Sequence, residues 1–157
     1  LRNLGLKNRN NCEYWSINSR LDSIQASILN VKIKFIKEWT YGRRKNAGIY
    51  NKSFSNMNEI ILPPENENNY SVYHTYVIQV EKRDELKQYL DEHGIGTAIH
   101  YPIPIHLQKV ANELGYKEGS FPNAEKQSKN IISLPIYPEL KNDDLTYIIQ
   151  TIKRFYL

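Results

Sequence analysis

The residues best equipped for chemistry lie in "GIGTAIHYPIPIHLQ", residues 94–108. His100 and His106 flank Tyr101 and two prolines, Pro102 and Pro104, which alternate with isoleucines. So much proline suits neither a helix interior nor a central strand, so the segment reads as a rigid extended loop. Imidazoles suggest metal ligation first. Paired zinc histidines are separated by about three to five residues; the five between His100 and His106 reach the end of that range and run through two prolines, a poor match. No metal is expected. No nucleophile-elbow motif accompanies the serines, and "GIGTAI" is not a phosphate-binding glycine loop. The pattern fits a binding wall, since prolines fix the backbone and side chains are then held at little further entropic cost. In an extended chain neighbouring side chains point to opposite sides, so only part of the set is expected to face one ligand.

The elements that hold this loop read as α+β. Residues 1–18 are polar and Asn-rich and read as loop or short turns. "SRLDSIQASILNVKIKFIKEW" carries an apolar stripe, Leu21, Ile24, Ile28, Val31, Phe35 and Trp39, at helical spacing. Ser19 is the expected N-cap, with Asp22 three residues on. "TYGRRKNAGIYNKSF" extends the helix, with Gly42 and Gly48 as weak points and "RRK" as a solvated face. "EIIL" and "YSVYHTYVIQV" read as strands, the second buried on both faces with His74 as a core histidine. "RDELKQYLDEHG" is a helix stopped by Gly94. "IGTAIHY" is a strand, "HLQKVANELG" a short helix, and "NAEKQSKNIISLPIY" a helix running into a strand. "NDDLTYIIQTIKRFY" is an amphipathic helix capped by Asn142 or Asp143. A sheet of three or four strands with helices mainly on one face is the natural package. Residues 70–157 are expected to hold its core, with residues 1–18 poorly ordered unless another chain covers them.

Composition excludes more than it identifies. A net charge of +4, from 21 basic and 17 acidic residues, is too mild and too dispersed for a nucleic-acid surface. The twelve tyrosines suit wet clefts and interfaces. A lone Cys12 allows no internal disulfide and points to a reducing, cytoplasmic setting. No apolar run approaches the roughly 18 residues of a membrane span. The chain starts at Leu1 and has Met57 as its single methionine, which reads as a piece of something longer or a processed product.

"NSRLDSIQASIL", "GIGTAIHYPIPIHLQ", "LGYKEGSFPNAEKQSKNIISLPIYPEL" and "DDLTYIIQTI", in that order, resemble the DegT/DnrJ/EryC1/StrS family of pyridoxal-phosphate-dependent nucleotide-sugar aminotransferases. "LRNLGLKNR" is similar to the stretch just after that family's cofactor lysine. The resemblance covers nearly the whole chain and only the C-terminal part of the family. It implies the small domain of the aspartate-aminotransferase architecture (fold type I), with a small antiparallel-type sheet, preceded by a long linking helix. Residues 1–55 would form the leading segment and interdomain helix, and 56–157 the small domain. It further implies pyridoxal phosphate as cofactor, a homodimer, a nucleotide-sugar substrate, glutamate as amino donor, and amino sugars for surface polysaccharide as the outcome.

No catalytic residue is expected here, because the family's Schiff-base lysine would lie upstream. The chain alone is then expected to be inactive and to bind the cofactor poorly. Asn18 matches the asparagine that reaches the partner subunit's cofactor phosphate. Arg20 matches an arginine near the active site, which would steer anionic substrate or brace the dimer. His100, Tyr101 and His106 match the segment lining the sugar-nucleotide pocket. Ser16 and Ile17 stand where the family often has glycine and a small or aromatic residue, and a glycine dihedral there would strain Ile17. The alternative is a non-catalytic α+β module, a remnant that binds a ligand or partner or dimerises.

Overall fold

A computed structural model describes residues 6–8, 11–64, 66 and 68–157. The chain divides into two compact units, Leu1–Lys37 and Glu38–Leu157. Most of "LRNLGLKNR" lies outside the described residues.

In the first unit, the segment expected as loop forms a small hairpin. Strand β1 (Leu6–Asn8) pairs antiparallel with β2 (Asn11–Cys12), and Lys7 Nζ meets Glu13 Oε1 at 2.8 Å. Helix α1 (Ser23–Lys32) begins later than the sequence suggests. Asp22, not Ser19, is its N-cap, because the Gln25 side chain reaches back to accept the Asp22 N–H at 3.2 Å. Ile17 escapes the expected strain: among the described non-glycine residues only Tyr73 and Lys82 have positive φ. A single 3₁₀ turn, Ile33–Phe35, joins α1 to α2 (Ile36–Phe54).

The second unit takes in most of α2, whose Asn46, Ala47, Tyr50 and Phe54 are buried at spacings of three and four. The core therefore extends upstream of residue 70. Its centre is an antiparallel sheet, ordered β3 (Ile60–Ile61), β4 (Tyr76–Val80), β5 (Ile131–Leu134). Ile60 sits opposite Val80, and Tyr76 and Ile78 opposite Leu134 and Ile132. Helix α3 (Arg83–Glu92) contributes Leu86 and Leu90, and α5 (Asn142–Phe155) contributes Leu145, Ile148, Ile149 and Ile152. Lys141 caps α5, one residue before the expected position. The class is α+β, as expected.

Several local expectations are corrected. β4 begins at Tyr76, not Tyr70, and alternates buried with half-buried residues instead of being covered on both faces. His74 precedes the strand and is exposed. The cause is Arg43, whose Nη1 donates to the carbonyls of Tyr73 (3.2 Å), His74 (3.2 Å) and Ile136 (2.7 Å). Those carbonyls are drawn away from ladder pairing, and Tyr73 takes φ +46°. Arg43 and Arg44 are accordingly half-buried braces; only Lys45 of "RRK" is exposed. "IGTAIHY" makes a single antiparallel bridge, Ala98 to Ser133, and "HLQKVANELG" folds as 3₁₀ turns, Ile105–Leu107 and Lys109–Leu114.

Candidate functional site

The proline loop leaves the sheet at the Ala98–Ser133 bridge and turns into the 3₁₀ segments, facing α4 (Pro122–Asn130). Pro122 occupies the first turn of α4, where its missing N–H costs nothing. Loop and helix line an open cavity of about 500 Å³. His100, Tyr101 and His106 all line it, together with Ile105, Leu114 and Phe121. The expectation that alternation would turn part of the set away fails, because the chain does not stay extended. His100 and Tyr101 are joined by a cis peptide, and their rings meet edge to face at 5.5 Å.

Each of the three is held differently. His100 is exposed, and its Nδ1 lies 2.9 Å from Oγ of Ser133, a buried residue of β5. The sheet thus fixes the ring through Nδ1 and leaves Nε2 without a hydrogen-bond partner among the described residues. Tyr101 is 72% exposed. His106 is buried, with Nε2 2.8 Å from Glu125 Oε1 and its ring edge-on to Phe121 at 4.8 Å. Glu125 also accepts the N–H groups of Gly119 and Phe121. The Gly119 N–H, with His106 and Phe121 behind it, outweighs desolvation and holds the Glu125 carboxyl below the usual carboxylate range.

Sequence reasoning missed both Ser133 and Glu125. Each lies in an ordinary amphipathic pattern, and neither spacing nor residue type marks it as a partner of a histidine 33 or 19 residues away.

Asn18 and Arg20 belong to the first compact unit and are exposed there, in the segment before α1. A second cavity of about 370 Å³ in the larger unit is lined by Arg44, Asn66, Asn68, Asn69, Tyr70 and Ser71 among others. Arg44 lies 4.1 Å over the Tyr70 ring and donates to Ser71 O at 2.6 Å. Among the described residues no three His, Cys, Asp or Glu side chains are grouped to hold a metal ion. No described helix is long and apolar enough to cross a membrane.

The model of the DegT/DnrJ/EryC1/StrS aminotransferase family matches residues 1–153. The chain belongs to this family. It is 45% identical over 141 residues to a pleiotropic regulatory protein of Geobacillus stearothermophilus, covering 88% of this chain and 38% of that protein. It is 33% identical over 155 residues to the dTDP-3-amino-3,4,6-trideoxy-α-D-glucose transaminase of Streptomyces venezuelae, covering 99% and 41%. The crystal structure of S. venezuelae DesV with a ketimine intermediate superposes with a TM-score of 0.92 at 33% identity, covering 99% of this chain and 42% of that one. The chain thus spans about two fifths of the length of the relatives it matches, and it corresponds to their C-terminal part.

An aminotransferase of this family needs a lysine amine for imine formation and a carboxylate for the pyridine nitrogen. Among the described residues, no lysine, aspartate or glutamate lines the cavity that His100 and His106 share. What these residues offer is a largely apolar wall with a few fixed polar tips.

Proposed function

We propose that this protein belongs to the working part of a pyridoxal-phosphate-dependent aminotransferase that moves an amino group from glutamate to a nucleotide-linked keto-sugar. The amino sugar would go toward surface polysaccharide. The supporting observation is the cavity, where a histidine fixed by the sheet (His100), an exposed tyrosine (Tyr101) and a buried histidine (His106) meet an apolar wall. Sugar rings are bound in this way, with hydroxyls on convergent polar atoms and C–H faces on apolar surface. In this reading His100 offers Nε2 and Tyr101 its hydroxyl to the sugar. Asn18 donates its amide to the cofactor phosphate of a second copy in a homodimer, and Arg20 draws in anionic groups. Residues 56–157 act as the small domain.

The test is transamination by the full-length polypeptide, with glutamate and dTDP- or UDP-linked keto-sugars, read as 2-oxoglutarate released. Turnover is expected, with kcat/KM lowered about tenfold or more in His100→Ala, as for loss of one ligand hydrogen bond. No turnover on any such sugar, with a folded protein that still binds nucleotide sugars, would favour the non-catalytic module.

A further inference from the structure

Glu125 is buried and yet tightly satisfied. The Gly119 N–H reaches both carboxylate oxygens, at 2.9 and 3.0 Å, the Phe121 N–H reaches Oε1 at 3.1 Å, and His106 Nε2 reaches Oε1 at 2.8 Å. Backbone N–H groups only donate, and an ionised carboxylate only accepts. Those donors stabilise the ionised carboxylate and hold its carboxyl below the usual range, so near neutral pH the hydrogen between Glu125 and His106 belongs to Nε2. The other nitrogen of a neutral imidazole is then an acceptor.

The position of that second nitrogen gives the arrangement a use. Nδ1 of His106 has no hydrogen-bond partner among the described residues. It is also not sealed off: among the described residues, the fully buried side-chain atoms without partners are Thr97 Oγ1 and Thr151 Oγ1. His106 lines the cavity together with Ile105, Leu114, Tyr116 and Phe121, and Nδ1 is the ring nitrogen left to serve it.

We propose that Glu125 locks His106 as the tautomer protonated at Nε2, so that Nδ1 meets the ligand as a hydrogen-bond acceptor against an apolar wall. The cavity then selects a ring that brings a hydroxyl or N–H donor to that point, which for a nucleotide sugar is the pyranose. Glu125 is a positioning residue and His106 a specificity-determining one. The identity of the ring rests on the function proposed above; the tautomer lock does not.

Side-chain ¹⁵N spectra of histidine-labelled full-length protein at about pH 8, where imidazoles are ordinarily neutral, read the tautomer directly. His106 is expected to be protonated at Nε2 alone. In Glu125→Gln the new amide can donate as well as accept, so His106 becomes a mixture of tautomers. Adding dTDP-glucose or UDP-glucose should move the Nδ1 resonance. His106→Gln keeps a donor for Glu125 but no acceptor in place of Nδ1, and should weaken binding of these sugars about five- to tenfold. A wild-type His106 protonated at Nδ1, or a single tautomer persisting in folded Glu125→Gln, overturns the lock. If Glu125→Gln fails to fold, the wild-type spectrum and His106→Gln still decide. A locked tautomer with neither sugar moving Nδ1 overturns the ligand assignment. Lock and shift intact without keto-sugar amination would leave this inference standing and defeat only the proposed reaction.

Discussion

At the scale of single residues, the cavity is governed by partners that face it from behind. Glu125 binds a proton less readily in the folded chain than its ordinary carboxyl would, chiefly because of the Gly119 N–H. A lowered folded pKa means that its stabilisation is complete above the ordinary value of about 4.3 and is lost as the pH falls through the lower folded value. The melting temperatures of wild type and Glu125→Gln should therefore differ most near neutral pH and converge only as the pH falls through the lowered folded value. A gap that stays constant to about pH 2 would show that the charge is irrelevant. Ser133 makes the matching case for His100. Ser133→Ala removes the one hydroxyl at Nδ1 of that ring, and should raise KM for the nucleotide sugar about threefold to tenfold with little change in Tm, since His100 itself is exposed. An unchanged KM would mean that His100 needs no fixing. The two histidines were legible from the sequence because proline-locked imidazoles are unusual. Their partners were not: Ser133 and Glu125 are set by tertiary pairing between a loop, a strand and a helix, and local periodicity carries no record of it.

At the scale of elements, α2 shows how one helix contains opposite responses to the same change. Gly42 and Gly48 both read as weak points in the sequence, since glycine costs about 1 kcal/mol relative to alanine inside a helix. Their surroundings separate them. A Cβ on Gly42 would stand 3.1 Å from Pro138 Cα and 3.2 Å from its oxygen, whereas one on Gly48 meets nothing within 4 Å. The segment before Pro138 cannot easily withdraw, because Arg43 holds Ile136 O at 2.7 Å and Asn46 Nδ2 holds Tyr137 O at 3.0 Å. Gly48→Ala should stabilise by about 0.5–1 kcal/mol, and Gly42→Ala should destabilise, since overpacking of this kind costs typically about 1–3 kcal/mol. Urea unfolding of the two variants tests the pair; equal shifts would show that the contact with Pro138 is soft. The same neighbourhood explains where the strand reading went wrong. "YSVYHTYVIQV" has strand composition throughout, but Arg43 takes the carbonyls of Tyr73 and His74 and delays the ladder to Tyr76. The long helices and the central strands followed from composition and periodicity, the leading hairpin and the 3₁₀ turns did not, and the point at which β4 starts was decided by a side chain more than thirty residues upstream.

At the scale of the whole molecule, the apolar stripe of the leading helix is unresolved business for the chain. Leu21, Ile24, Ile28 and Val31 are each more than half exposed, at 57, 76, 53 and 57%. Leu29, Ile33 and Ile36 add to the exposed apolar surface along the same stretch. Contiguous apolar surface on this scale is rarely left bare on a soluble monomer. Covering each such side chain completely contributes roughly 1.5–3 kcal/mol. A second copy of the chain is the simplest cover, because a two-fold pairing lets one patch serve both partners. The 157-residue chain should therefore sediment above monomer mass at micromolar concentration, and Ile24→Glu with Ile28→Glu should return it to monomer without changing its helix content. Neither residue is buried within its own chain, so the double variant perturbs association without opening a cavity. If wild type sediments as a clean monomer and the glutamates leave its solubility unchanged, the stripe is no interface between copies, and its exposed positions reflect a helix that tolerates apolar residues in water.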